Sequence, residues 1–279
     1  MISVEMIGRL GNHMWQYAVC RTLAERNGYE FHVPRSFLGA ELFDCSLGVE
    51  VDQTKMQYTD SYMHNSFMAQ FYNPNIIHLQ DFTKLVGFFQ SERYILENKK
   101  NIQEWFELKN PNLELIDKLN LTDEVCIINF RGGDYKDIPD VYLSSDYWNN
   151  SVEQMKKLHD NLKFIVITDD VDAAEKLFPD FPAYHFSVAE DFLVITHAKY
   201  LIIANSTFSW WGAWLNKFCK TVIAPKFWMR HNQSNGWWAP GESITKGFLY
   251  MGKDGKLYSS SECIDEVNAL GLSYSKFPY

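Results

Sequence analysis

Two series of alternating apolar strands and helix-spaced segments run along the chain. Near the N-terminus "ISVEMI" reads as a short strand. From Leu10 to Arg26 apolar residues recur at helical spacing, and Gly28 follows as a stop. "YEFHV" (29–33) predicts a second strand ended by Pro34, and "KLVGFFQ" a third; "SERYILENKKNIQEWFEL" predicts one amphipathic helix capped by Ser91. The rest of 35–118 is weakly patterned. A second series begins at Glu124. Strands are predicted at "VCIINF", "KFIVIT", "YLIIAN" and "TVIAP", with helices at "SSDYWNNSVEQMKKLH", "DDVDAAEKLF" and "TFSWWGAWLNKF" between them. Such alternation implies βαβ units and parallel sheets, so the fold class is α/β. A boundary near 120 divides it into domains 1–120 and 121–279. After Pro225 the pattern fades, and "HNQSNGWWAPGES" reads as a loop.

Composition narrows the function classes. The chain has 279 residues, 46% of them hydrophobic, enough for a substantial core. It has no apolar run of membrane-spanning length and no signal-type start, which predicts a soluble, cytoplasmic protein. A formal charge of −9, with no basic cluster, argues against nucleic acid as a partner. Cys20, Cys45, Cys126, Cys219 and Cys263 are widely spaced, with no C-x-x-C pair, and suggest neither a disulfide framework nor a zinc ribbon. The histidines lack metal-ligand spacing, and P-loop and G-x-S-x-G motifs are missing. Aromatic content of 16% suits sugar platforms and core packing alike.

Four segments carry candidate chemistry. In "GRLGNHMWQYA" (Gly8–Ala18), Gly8 and Gly11 sit between strand and helix, where a tight turn or close approach to an anion calls for glycine; the spacing is not that of a dinucleotide fingerprint. "NFRGGDY" (Asn129–Tyr135) leaves the carboxyl end of a strand, the side on which open α/β sheets bind ligands. Arg131 there can grip a phosphate bidentately or pair with Asp134 across the loop. In "ITDD", Asp169 or Asp170 can accept from a ribose or a base, bind a metal, or cap a helix. In "NSTFSWWGAWL", Asn205, Ser206, Thr207 and Ser209 stand where a strand turns into a helix, a place for phosphate; core packing accounts for Trp210, Trp211 and Trp214.

Taken in order, these segments resemble the α-1,2-fucosyltransferase family, whose members begin with G-R-L-G-N-Q-M-F-Q-Y-A and carry H-x-R-R-G-D-Y centrally. A segment like "EDMYLMS…NSSFSWWGAWL" and a later "AP..W" follow, matched here by Ala224, Pro225 and Trp228. The resemblance implies a GT-B-like fold, with two Rossmann-like domains facing a cleft: an acceptor side in 1–120 and a GDP-sugar side in 121–279. It further implies inverting transfer of fucose from GDP-fucose, a co-substrate, to the 2-hydroxyl of a terminal galactose in a glycan acceptor, with no metal or other cofactor. Lipid-linked or cell-surface acceptors would bring the protein to a membrane periphery.

By the same resemblance Arg131 binds the donor's β-phosphate, Asn12 lies near phosphate or fucose beside Gly11 and His13, and Ser206 and Thr207 donate to the diphosphate. Asn129, Asp169, Asn205 and Ser209 complete the donor set, and Asp134 joins Arg131 and Asn12 as catalytic. Asp191 resembles the family's guanine carboxylate, since guanine's N1–H and 2-amino group offer two parallel donors. Trp15, Phe67, Phe88 and Phe89 are candidate acceptor platforms, and Glu5, Asp134 or Asp169 a candidate base. Three departures stand out: Asn129 replaces the family's histidine, Gly132 its second arginine, and His13 a glutamine. They keep open another GDP-sugar donor or a catalytically silent glycan-binding relative.

Overall fold

The computed structural model describes residues 1–51, 60–63, 72–233, 236–237 and 243–270. Met1–Asn110 forms one compact unit, and the described residues from Pro111 onward form another.

The first unit contains β1 (Ile2–Val4), α1 (Leu10–Asn27), β2 (Phe31–His32), β3 (Asp60–Met63), β4 (Thr83–Val86) and α2 (Lys99–Trp105). Its four strands are parallel in the order β2-β1-β4-β3. α1 ends where Gly28 takes φ 68°, a left-handed cap whose N–H reaches back to the Ala24 and Glu25 carbonyls. Met14, Tyr17 and Ala18 of α1 are fully buried, with Tyr17 stacked on Phe37 at 5.0 Å. The single helix expected from Ser91 is broken. Two short 3-10 turns, Glu92–Tyr94 and Leu96–Asn98, precede α2, because Ile95 leaves the helical region (φ −130°) while its side chain and that of Tyr94 are buried.

The second unit contains α3 (Leu113–Lys118), β5 (Val125–Phe130), α4 (Ser145–Leu158), β6 (Lys163–Thr168), α5 (Val171–Leu177), β7 (Ala183–Tyr184), α6 (Val188–His197), β8 (Tyr200–Ile203), α7 (Thr207–Leu215), β9 (Thr221–Pro225), β10 (Leu249–Met251), β11 (Leu257–Ser259) and α8 (Ser260–Ala269). Its sheet runs β11-β10-β9-β8-β5-β6-β7, parallel except at the antiparallel β10–β11 pair. Every residue of β5 is buried, as a central strand covered on both faces requires, which is why "VCIINF" reads as an unbroken apolar run. Trp148 of α4 packs on Phe130 at 5.4 Å and on Phe178 at 6.0 Å.

Strand order locates the ligand crevice in each unit. From β5 the chain moves outward through β6 and β7, then returns to place β8 on the other side of β5. That reversal opens a crevice between the β5 and β8 loops, where open α/β sheets take ligands. The first unit reverses likewise: β1 lies between β2 and β4, so the loops after β1 and β4 flank its switch point.

Candidate active site

Register brings the second unit's loops together. Phe130 pairs with Thr168 and Asn129 with Ile203, so β5, β6 and β8 end level, and the loops bearing Arg131, Asp169 and Asn205 leave one edge of the sheet. Arg131 donates from Nη2 to Asp134 Oδ1 at 2.6 Å, and its Nη1 lies 2.5 Å from Asp169 Oδ2. The loop pairing weighed for Asp134 is therefore present, joined by a second carboxylate. Asp169 is fixed by the Gly132 N–H, which donates to its Oδ1 at 2.9 Å. Any Cβ at Gly133 would overlap that carboxylate, so only glycine lets the loop close over it. Asp170 caps α5, accepting from the Ala173 N–H at 3.2 Å, and this hydrogen bond is the main cause of its lowered pKa. A Cβ at Gly132 would meet the Asp170 Cβ at 2.5 Å, leaving no room for a second arginine; a neighbouring cation, Lys136, instead lies 3.2 Å from Asp170 Oδ2.

Tyr135, absent from the sequence-predicted site, links the two loops. Its ring lies 5.3 Å under the Arg131 guanidinium, and its hydroxyl donates to the Asn205 carbonyl at 3.5 Å. α7 begins one residue beyond Ser206, whose side chain makes no capping hydrogen bond. Ser206 and Thr207 therefore open a nine-residue helix whose N-terminal dipole favours an anion.

Three residues expected on the donor side are committed elsewhere. Asn129 and Ser209 are buried and bonded to each other, the hydroxyl donating to Asn129 Oδ1, while Asn129 Nδ2 donates to the Ile167 carbonyl at 3.1 Å. They brace β5, β6 and α7. Asn205, 2% exposed, donates from Nδ2 to the Val141 carbonyl at 2.9 Å, tying down the α4 approach; its Oδ1 is buried with no hydrogen-bond partner.

Asp191 lies in the first turn of α6, behind a capping box formed by Ser187 and Glu190. Its Oδ1 accepts from the Phe186 N–H at 3.0 Å, and its Oδ2 lies 3.1 Å from His185 Nδ1. Each oxygen keeps a further lone pair for a ligand. Burial pushes its carboxyl up to about 6, against the opposing Phe186 and His185 contacts. Tyr184 and Phe186, stacked at 5.5 Å, flank His185 in sequence.

In the first unit Asn12 Oδ1 accepts from Gln90 Nε2 at 2.8 Å, joining the first turn of α1 to the loop after β4. Gln16, one turn on, is fully buried: its Oε1 accepts from the Ile7 N–H at 3.0 Å, and its Nε2 donates to the Ile7 and Gly87 carbonyls at 3.2 and 2.9 Å. Sequence reasoning missed both glutamines. The signal for Gln16 was its spacing, one turn after Asn12 on a helix otherwise lined by core residues. Gln90 carried the strand-end signal already used for Arg131. Gly11 is buried in the first turn of α1.

His13, expected near the donor, instead turns inward. It is 5% exposed, its Nδ1 accepts from the Leu38 N–H at 3.2 Å, and burial lowers its pKa, so the ring is a neutral brace. Trp15 and Phe89 are core residues and Phe88 is half-buried, so burial removes the first two as acceptor platforms; Phe67 lies outside the described residues. Glu5, exposed, pairs with Lys84 at 2.8 Å.

Gly8 takes φ 89°, and a Cβ there would overlap the Asn12 amide. Gly8→Ala should therefore combine a left-handed penalty of about 1–2 kcal/mol with displacement of Asn12 from Gln90. Urea denaturation should show a lowered midpoint, and turnover should fall with it; a variant matching wild type in both would show that the loop tolerates a side chain.

Among the described residues, no group of three or more His, Cys, Asp or Glu is placed to hold a metal ion, and no helix is long and apolar enough to cross a membrane.

Comparison with known proteins agrees with this geometry. An Escherichia coli alpha-1,2-colitosyltransferase is 28% identical over 278 residues, covering 84% of this chain and 94% of that protein. The Escherichia coli O-antigen biosynthesis glycosyltransferase WbnK is 28% identical over 195 residues, or 63% of this chain and 65% of its own length, a little under two thirds. Among solved structures, a mutant of Arabidopsis thaliana FUT1 in complex with GDP superposes with a TM-score of 0.50 at 12% identity, covering 80% of this chain and 69% of that one. The fucosyltransferase NodZ from Bradyrhizobium also gives 0.50, at 13% identity over 80% and 94% of the two chains. At these identities the likeness is one of fold, GT-B-like, with an α/β unit and a parallel sheet in each part. The model of Glycosyl transferase family 11 matches residues 1–239, spanning the loops after β1, β5 and β8. This chain is a glycosyltransferase and belongs to glycosyl transferase family 11.

Proposed function

We propose that the protein transfers fucose from GDP-fucose, with inversion, to the 2-hydroxyl of a terminal galactose in a glycan acceptor. The observation that carries this reading is the switch-point crevice of the second unit, where Arg131 and the N-terminus of α7 leave one sheet edge in a family 11 chain. Arg131 holds the β-phosphate and stabilises the departing GDP, with Ser206 and Thr207 donating to the diphosphate. This electrostatic stabilisation does without a metal. Asp191 accepts from guanine N1–H and the 2-amino group, which favours GDP over UDP. Asn12, held by Gln90, contacts phosphate or fucose. A loose, oxocarbenium-like transition state reduces the demand on a base.

The name of the colitosyltransferase relative favours one second reading, a different GDP-deoxysugar donor with the 1,2 linkage kept. Colitose is fucose without its 3-hydroxyl, so the two donors differ by one hydrogen-bonding group. Calorimetric titration with GDP, UDP, GDP-fucose and GDP-colitose separates the readings. Preference for GDP over UDP, and for GDP-fucose over GDP-colitose, is expected; preference for UDP would overturn the Asp191 role.

The same carboxylate sets a pH dependence. Guanine needs Asp191 ionised, and its folded pKa is raised to about 6, so GDP affinity should weaken as pH falls through that value. The GDP phosphate titrates in the same range, and His185 and Glu190 lie beside the carboxylate, so the reference is Asp191→Asn. Its profile should be flatter than wild type between about pH 7 and pH 5. Parallel profiles would assign the slope to another group.

A further inference from the structure

The hydrogen bonds of Arg131 divide its guanidinium into two edges with different fates. Covalent geometry places Nε and Nη2 on one side, the edge that grips a phosphate side-on with two parallel N–H donors. Nε is buried and has no hydrogen-bond partner, and Nη2 is held by Asp134. Nη1 faces Asp169. The carboxylates differ in exposure. Asp169 accepts the Gly132 N–H and packs against Gly133, with 24% of its side chain exposed; Asp134 lies on the 3-10 turn Gly133–Asp137, with 42% exposed.

We infer that Asp134 is an internal competitor for the phosphate-binding edge of Arg131, displaced when the donor's diphosphate arrives, while Asp169 stays as the positioning residue that aims the guanidinium. The inference rests on the phosphate role proposed for Arg131. One arginine between two carboxylates carries a local formal charge of −1, and a diphosphate entering without exchange would add like charge to it. Exchange at Nη2 joins that donor to the unsatisfied Nε and completes a bidentate site without moving Asp169. Asp134 then suppresses unproductive anion binding: a ligand must offer two suitably spaced acceptors to replace it.

The two carboxylates should therefore have opposite effects on GDP affinity. Calorimetric titration of the 279-residue chain with GDP is expected to show Asp134→Asn binding roughly two- to fivefold tighter than wild type, the size of a partly exposed ion pair. Asp169→Asn, which keeps an acceptor for the Gly132 N–H, is expected to bind at least about threefold more weakly. In an Arg131→Ala background the Asp134→Asn gain should vanish. Unchanged or weaker GDP binding by Asp134→Asn would overturn the inference, as would a gain that persists without Arg131. If Asp134→Asn fails to fold, judged by circular dichroism, Asp134→Ala serves the same comparison. A wild-type protein that binds no GDP would remove the donor reading itself, and this inference with it.

Discussion

Arg131→Ala is expected to abolish detectable sugar transfer, with kcat lower by at least about 10²–10³-fold, the loss seen when one preorganised donor to a developing anion is removed. The physical reason lies in what the loop concentrates. In the proposed reaction a diphosphate leaving group develops charge at the crevice between β5 and β8, on the sheet edge that carries the guanidinium and the opening of α7. Stability should change little. The side chain is 22% exposed, and its two carboxylate partners are partly exposed, so their loss is worth no more than about 1 kcal/mol in the urea midpoint. Arg131→Lys should recover only part of the rate, because an ammonium is a point charge that cannot hold Asp169 and also present a flat two-donor edge. Initial rates of GDP release alongside urea denaturation separate catalysis from folding. Near-normal turnover in the alanine variant would end the assigned role.

The second large effect belongs to folding. Trp211 is fully buried and meets Trp210 and Trp214 edge-on at 5.0 and 5.6 Å, while Trp210 and Trp214 stack at 5.4 Å. Trp210 Nε1 also donates to Thr245 Oγ1 at 2.7 Å. Gly212 keeps the helix close to α6, where a Cβ would meet Ile195 Cγ2 at 2.5 Å. Trp211→Ala should cost about 3–5 kcal/mol, a large share of the roughly 5–15 kcal/mol that holds a domain folded. Donor affinity should fall as well, since Ser206 and Thr207 are positioned by the packing of the turns that follow them. A urea midpoint within experimental error of wild type would show that the tryptophan cluster is dispensable.

The site was legible in the sequence wherever a short polar run followed a long apolar strand. That rule singles out Arg131, Ser206 and Thr207 as candidates, and the register of β5, β6 and β8 explains why they share one sheet edge: strands that end level bring their loops together. What the rule cannot give is the direction of a side chain. Asn129 and Ser209 stand in the right segments, yet β-strand and helix geometry turn them onto each other, and His13 turns inward to the Leu38 N–H. The fold was legible where segments were long. The helix from Ser91 failed because burial of Tyr94 and Ile95 outweighed helical periodicity, and β10 and β11, three residues each, are too short to display alternation. Two missed helices had usable signals. α6 and α8 both open with a capping box, Ser187 with Glu190 and Ser259 with Glu262, a spacing visible in the sequence.

Transfer chemistry itself gives the most direct test. The protein is incubated with GDP-fucose and a glycan ending in galactose, and the product's linkage is determined by mass spectrometry. Release of GDP with formation of an α-linked fucose on the galactose 2-hydroxyl is the predicted result; a product carrying a different linkage, or no transfer from GDP-fucose to any galactose-terminated glycan, would contradict the account.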